Sequence, residues 1–137
     1  MPEHRWVSAA LNGVKLDVIV GDAMEVLRSL AGRTFGAVVL DPPAFAKSKK
    51  AAGAALRGYR DLNALGMALV RPGGFLFTSS CSWHVQEERF LEAVVAGARD
   101  AKRRIRIVRR GEQGPDHPVP PEVPETRYLK SLALLVE

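Results

Sequence analysis

The amino-acid sequence predicts an α/β fold built on a mostly parallel sheet. Segments with helical periodicity alternate with short apolar segments along the chain, a pattern typical of such sheets. The valine-rich run 36–40 is apolar throughout, which predicts a fully buried strand. Polar residues (Asp22, Asp41 and Cys81) follow three of the predicted strands. Because ligands bind beyond the carboxyl ends of the strands in open α/β sheets, we expect a site there.

The first predicted elements are a helix, a strand and a second helix. Residues 3–12 place apolar side chains on one face, and Asn12-Gly13 ends that helix because both residues tolerate a left-handed cap. Residues 16–20 predict a short strand. The second helix, 23–31, has apolar positions at helical spacing and begins after Asp22, whose carboxylate suits a helix N-terminus.

The central predicted strand, 36–40, stops at an acid followed by two prolines. Proline has no N–H for a sheet ladder, so Pro42 and Pro43 end the strand and stiffen the turn. This turn holds Asp41 at the strand's carboxyl end with the aromatic Phe45 nearby. The pattern predicts a rigid loop that presents a carboxylate and a ring to a flat substrate.

The second half continues the alternation. The apolar stripes of 56–70 and 85–101 predict amphipathic helices, and 75–79 predicts the strand between them, after the turn 71–74. Residues 104–109 alternate with period two and predict a half-exposed strand. A proline-rich loop, 111–126, leads to a last strand, 128–136. No helix lies between these two strands, so we expect an antiparallel pair at the sheet edge.

Composition bounds the class of protein. The 137 residues are 47% hydrophobic and 26% charged, which suits one globular domain. No apolar run approaches the roughly 20 residues of a membrane helix, and no secretory signal is present, so we expect a soluble cytoplasmic protein. One cysteine excludes a disulfide framework. The net charge of +5 favours an anionic partner such as nucleic acid.

Several motifs together resemble one enzyme family. The layout of polar strand ends is similar to class I S-adenosylmethionine (SAM)-dependent methyltransferases with a Rossmann-like fold. The closer resemblance, from about residue 10 onward, is to 23S ribosomal RNA cytosine-5 methyltransferases that carry an N-terminal PUA domain. It rests on the following segments: Val-Leu-Asp-Pro-Pro-Ala-Phe-Ala-Lys-Ser-Lys (39–49), Arg-Pro-Gly-Gly (71–74), Ser-Ser-Cys-Ser-Trp-His (79–84), Pro-Asp-His-Pro (115–118) and Pro-Glu-Thr-Arg-Tyr-Leu-Lys (124–130).

The resemblance covers only the C-terminal portion of that family's catalytic domain. The family's Gly-x-Gly-x-Gly loop, its first two strands and its PUA domain have no counterpart, so residues 1–137 are interpreted as a partial methyltransferase domain. We expect this chain alone to bind SAM weakly or not at all. We expect its sheet to leave a gap, to close by direct pairing, or to be completed by a second copy or by a missing N-terminal segment. An unpaired strand edge favours association.

The resemblance also implies roles for individual residues. Cys81 matches the nucleophile, whose thiolate adds to carbon 6 of cytosine, and Asp41 matches the acid that binds the N4/N3 edge of the base. Asp22 with Ala23 matches the adenine contact of SAM, and the backbone of 41–43 lies near the transferred methyl group. The implied substrate side comprises Phe45, Lys47, Ser80, Ser82, His84, Tyr128 and Lys130. Phosphate contacts are predicted for Lys47, Lys49, Lys50, Arg57 and Arg60.

Two other interpretations stay open at this point. The Asp-Pro-Pro-x-Phe segment (41–45) also resembles the loop of enzymes that methylate exocyclic amines, and that chemistry needs no thiol. The third interpretation is a non-catalytic fragment that binds RNA or a partner, which the missing glycine loop favours. Dependence of activity on Cys81 separates the first interpretation from the other two.

Overall fold

A computed structural model gives the fold and describes residues 9–46 and 48–137. Within these ranges the chain forms three complete helices, a short helical stretch at 9–11 and a four-stranded sheet. The helices are α1 (Ala23–Ser29), α2 (Ala52–Ala68) and α3 (Glu87–Asp100), and the strands are β1 (Phe35–Leu40), β2 (Val70–Ser80), β3 (Ile105–Gly111) and β4 (Lys130–Val136). Single 3-10 turns occupy Lys49–Ala51 and Pro124–Thr126. No helix in the described ranges is long and apolar enough to cross a membrane.

The sheet confirms the predicted α/β fold with an antiparallel last strand. Its spatial order is β1-β2-β4-β3, with β1 parallel to β2 and β4 antiparallel to both of its neighbours. Three strands therefore run in one direction and β4 runs against them. The expected antiparallel pair is present, but β4 is inserted between β2 and β3, which leaves β3 at the edge. The carboxyl ends of β1 and β2 consequently meet at one edge of the sheet.

One face of the sheet carries the hydrophobic core. Side chains of β2 and β4 alternate between buried and accessible positions, and the buried set packs with α2 and α3. Tyr59 of α2 and Phe90 of α3 are fully buried and meet edge to face, with ring centroids 5.2 Å apart. Most of the apolar positions that predicted the amphipathic helices lie in this core. Helix α2 begins at Ala52, earlier than predicted, because the alanines before residue 56 favour helix and extend it.

The opposite face of the sheet is uncovered in the described part of the chain. Val39 is 69% exposed, and Phe75 and Phe77 stack on one another at 6.3 Å while remaining accessible. The prediction that 36–40 is a fully buried strand is therefore wrong, since only Leu40 of β1 is buried. An all-apolar strand needs cover on both faces, and β1 has it on one.

The strand predicted for 16–20 is not formed either. These residues have no regular secondary structure, and Val20 is 94% exposed. A strand requires a hydrogen-bonding neighbour, and within the described ranges the outer edge of β1 has none. Of the expected outcomes for the sheet, direct pairing of the two strands is absent in the described ranges, and completion by a second copy or by a missing N-terminal segment stays a prediction. The first predicted helix, 3–12, lies mainly outside the described residues. Its described part is helical over 9–11, and the chain turns at Gly13, where φ is 63°.

The predicted turn at 71–74 is an irregularity inside a strand. Strand β2 starts at Val70 opposite Phe35, and its register with β1 then shifts so that Phe75 faces Ala37. Gly73 has a φ of 78°, a conformation that L side chains rarely adopt. The extra residues bulge out of the ladder, as an inserted segment in a sheet does.

Candidate active site

The two parallel strands bring Asp41 and Ser79 together. Leu40 pairs with Thr78, so the next residue of each strand lies at the same edge. The Ser79 hydroxyl donates to Asp41 Oδ1 at 2.5 Å and lies 3.4 Å from the Leu40 carbonyl oxygen. Asp41 remains exposed. This carboxylate is thus anchored through one oxygen and accessible to a ligand. Sequence reasoning missed Ser79, because only the strand register pairs it with Asp41.

Cys81 follows β2 and lies against the proline turn. Cys81 is a free cysteine and is partly exposed. Its Sγ donates a weak hydrogen bond to the Pro42 carbonyl oxygen at 3.9 Å. The structure therefore brings together Cys81 and the segment 41–42, two predicted parts of the site that are 39 positions apart. The free thiol thus lies against the proline loop that begins with the exposed Asp41.

A buried hydrogen-bond network supports the residues on both sides of Cys81. Ser80 and Ser82 are fully buried, and each hydroxyl lies 2.9 Å from the Tyr59 hydroxyl. The Ser82 hydroxyl also accepts from the Ala46 N–H at 3.2 Å, which ties the proline loop to the cysteine segment. Ser80 and Ser82, predicted on the substrate side, are thus scaffold in this structure. Tyr59 was predicted only as a member of an apolar helix face, and no local signal reveals its polar end.

Lys130 reaches the same segment from β4. Its Nζ donates to the Ser82 carbonyl oxygen at 2.6 Å. Burial lowers the pKa of Lys130 below its ordinary value of 10.5, while negative charge on Cys81 and then on Glu87 acts in the opposite direction. Lys130 is therefore a partly buried ammonium group whose electrostatic neighbour is the cysteine.

The other residues predicted on the substrate side are more dispersed. Phe45 packs against Tyr59, with ring centroids 4.7 Å apart, so its ring contributes to the core. His84 is exposed in the turn before α3, and Tyr128 is partly exposed ahead of β4. Lys47 lies outside the described residues. Substrate contacts by these four stay predictions.

Asp22 caps α1, as the sequence predicted. Its Oδ1 accepts from the backbone N–H groups of Met24 at 2.9 Å and of Glu25 at 3.1 Å. Both bonds use the same carboxylate oxygen, and Asp22 and Ala23 are exposed. The side chain therefore keeps acceptor capacity for an amino group such as that of adenine. In the described ranges no hydrogen bond links it to the residues around Cys81.

Two clefts flank the cysteine segment. One, of about 480 Å³, lies on the uncovered sheet face and has Asp41, Ser79, Phe77 and Arg109 among its lining residues. The other, of about 620 Å³, is lined by Trp83 and Lys130 together with polar side chains of β3, α3 and the loop before β4. Arg109 and Trp83 were not predicted as site residues. The apolar floor and charged rim of the first cleft suit a nucleobase or nucleoside.

The described residues share their fold with part of the Rossmann-like domain of solved methyltransferase structures. A solved structure of a candidate methyltransferase in complex with SAH superposes with a TM-score of 0.75 and 17% identity, covering 95% of this chain and 35% of that one. A methyltransferase homologue from Pyrococcus horikoshii superposes with a TM-score of 0.56 and 22% identity, covering 97% of this chain and 50% of that one. At such identities the likeness establishes the fold.

Sequence comparison points to particular relatives. The chain is 41% identical over 128 residues to ribosomal RNA large subunit methyltransferase I of Shewanella frigidimarina, covering 92% of this chain and 32% of that protein. The protein of the same name from Shewanella denitrificans is 43% identical over 117 residues, covering 84% of this chain and 30% of that one. The chain thus spans about a third of the length of the curated relatives it matches. No family model matches it.

Proposed function

We propose that this chain is part of a SAM-dependent methyltransferase domain that acts on large-subunit ribosomal RNA in the cytoplasm, and that it methylates carbon 5 of cytosine through Cys81. The observation that carries the proposal is the approach of Cys81 Sγ to the Pro42 carbonyl, beside an anchored Asp41. The relatives' names support ribosomal RNA as the substrate.

The residues present fit one side of SAM. Asp22 offers an accessible carboxylate for the adenine amino group, and the resemblance implies that the backbone of 41–43 would lie near the transferred methyl group. When bound, SAM supplies an electrophilic methyl group. The glycine loop of the resembled family has no counterpart in this sequence, so we expect weak SAM binding by this chain alone.

Cys81 does the covalent work in this mechanism. Its thiolate adds to carbon 6 of the base, which makes carbon 5 nucleophilic enough to accept the methyl group. A base then removes the carbon-5 proton, and the electron pair of that C–H bond re-forms the double bond as the thiolate leaves. The Asp41 carboxylate, oriented by Ser79, holds the N4/N3 edge of the ring. A base in folded RNA must be flipped out first, at a cost of a few kcal/mol.

A trapping experiment tests this proposal. A chimaera in which this chain replaces the matching segment of the Shewanella frigidimarina relative is mixed with SAM and ribosomal RNA that contains 5-fluorocytosine. Fluorine at carbon 5 blocks the last elimination, so we expect a protein–RNA adduct that survives denaturation. The adduct should be lost in Cys81→Ser and with unmodified RNA.

The outcomes separate the competing functions. Methylation that persists in Cys81→Ser, without an adduct from the parent chimaera, would favour transfer to an exocyclic amine. RNA binding without methylation by the chimaera would favour a binding-only fragment.

A further inference from the structure

Lys130 is positioned by the sheet next to the cysteine segment. It is the first residue of β4 and pairs with Ser80 in the antiparallel ladder between β2 and β4. From there its ammonium group reaches past the strand end to the Ser82 carbonyl oxygen at 2.6 Å. The cation therefore contacts the residue immediately after Cys81.

The positive charge of Lys130 is incompletely compensated. Across residues 9–46 and 48–137, the ion pairs within 4.0 Å do not include Lys130. Glu87, the carboxylate whose charge acts to raise the pKa of Lys130, is itself paired with Arg110 at 2.5 Å. A partly buried ammonium group bonded to a neutral carbonyl is stabilised by any anion that forms beside it. Cys81 is the neighbouring group that can become one.

The other ionisable groups around Cys81 act differently. Asp41, from the end of β1, and Glu87, from α3, are carboxylates and oppose a second negative charge. Tyr59, from α2, is bonded to two serine hydroxyls, and His84 is exposed in the following turn. Among these groups Lys130 is the amine whose Nζ contacts the cysteine segment, so it is the group that can favour the thiolate.

We propose that Lys130 is a positioning residue for Cys81: its ammonium group holds the segment through the Ser82 carbonyl and supplies the positive charge that favours the Cys81 thiolate. The thiol proton passes to solvent, the electron pair stays on sulfur, and Lys130 keeps its own proton. The use of this thiolate on cytosine depends on the function proposed above.

The single cysteine makes the test specific. Iodoacetamide forms an S–C bond with the thiolate and releases iodide, so its rate on this 137-residue chain reports Cys81 alone. The rate is measured from pH 6 to 10 for the wild type, Lys130→Gln, Lys130→Arg and a matched control, Lys15→Gln, whose lysine is exposed. Gln keeps a donor for the Ser82 carbonyl and removes the charge, whereas Arg keeps both.

We expect Lys130→Gln to alkylate about three- to tenfold more slowly at pH 7, with its rate profile displaced to higher pH, because one nearby charge is worth up to about 1 pH unit. Lys130→Arg should restore most of the rate, and Lys15→Gln should match the wild type. A Lys130→Gln protein that is native by circular dichroism and has the wild-type pH profile overturns the proposal. If that variant loses its native spectrum, the pH profiles of the alkylation rate are compared for Lys130→Arg and a folded Lys130→Met instead. A profile displaced to higher pH in Lys130→Met supports the proposal, and equal profiles overturn it.

Failure of this inference is distinguishable from failure of the proposed function. Alkylation needs neither RNA nor SAM, whereas the trapped adduct needs both. A Cys81-dependent adduct in the chimaera, combined with unaltered alkylation of Lys130→Gln, would overturn the role of Lys130 alone. Slow alkylation of Lys130→Gln, combined with methylation that survives Cys81→Ser, would overturn the proposed function and leave Lys130 as the group that tunes the thiol.

Discussion

Ser79 holds Asp41 at the edge of the sheet through a hydrogen bond of 2.5 Å from its hydroxyl to Oδ1. The two residues follow Thr78 and Leu40, which pair in the parallel ladder of β2 and β1. The bond leaves Asp41 exposed, with its second oxygen available to a ligand. A carboxylate oriented in this way can recognise the amino edge of a base without first losing rotamer freedom.

Removal of the Ser79 hydroxyl should weaken catalysis without unfolding the protein. In the chimaera we expect Ser79→Ala to lower kcat/KM about three- to tenfold, since one hydrogen bond to a charged group contributes about 1.5–3 kcal/mol at most and solvent replaces part of it. Methyl incorporation into ribosomal RNA measures the effect. Ser29→Ala is the matched control, because the Ser29 hydroxyl bonds to a backbone carbonyl within α1. Equal activity of the two variants would contradict a role for Ser79.

Much of the fold was predictable because its signals are local. The apolar stripes that predicted α2 and α3 face the core, and the motif residues Asp41 and Cys81 lie where the strand ends predict. The roles of Tyr59 and Ser79 were not predictable, since they depend on contacts between segments about 20 to 40 positions apart. The strand expected at 16–20 fails for a related reason. An apolar run indicates strand propensity, whereas its sheet neighbour must come from elsewhere.

The uncovered sheet face should make this chain associate with itself. Phe75 is 39% and Phe77 43% exposed on that face, next to the more exposed Val39. Contiguous exposed apolar surface favours association. We expect apparent mass by light scattering to rise with concentration, and to rise less in the double variant Phe75→Thr/Phe77→Thr. Threonine preserves strand propensity while shortening the apolar surface.

A matched variant distinguishes the sheet face from general surface hydrophobicity. Val119→Thr changes a similarly exposed apolar residue in the loop before β4, so it should associate like the wild type. A wild-type chain that stays monomeric over the whole concentration range and does not bind a hydrophobic dye would rule out exposure of this face in solution.

The ion pair between α2 and α3 should give the fold an acid-sensitive component. Arg60 and Asp100 form two hydrogen bonds, at 2.5 and 2.8 Å, and the guanidinium lowers the pKa of Asp100 below 3.8. A folded-state pKa below the unfolded value means that the unfolded chain binds the proton more readily. The contribution is therefore complete above about pH 4 and is lost as pH falls through the folded-state value.

Urea unfolding at pH 7 and at pH 3 measures this component. We expect the wild type to lose more stability between the two pH values than Asp100→Asn, which has no carboxylate to titrate there. The exposed pair of Arg89 and Glu92, at 3.4 Å, offers the control Glu92→Gln, whose pH dependence should stay closer to that of the wild type. Identical pH dependence of the wild type and Asp100→Asn would contradict the assignment.

Close packing of α3 on α2 depends on Gly97. A methyl group there would lie 2.7 Å from the Arg60 carbonyl oxygen and 3.0 Å from the Ala64 backbone nitrogen, both fixed parts of α2. Since the helix backbones must separate to admit it, we expect Gly97→Ala to cost about 1–3 kcal/mol of unfolding free energy by chemical denaturation. At Gly53, also within a helix, an added methyl group would meet no neighbouring side chain or segment within 4 Å, so Gly53→Ala should stabilise by about 0.4–1 kcal/mol. Equal effects of the two alanines would mean that the helices are not in contact at Gly97.

Because α2 also carries Tyr59, the loosened Gly97→Ala protein should alkylate at Cys81 with an altered rate, whereas Gly53→Ala should not.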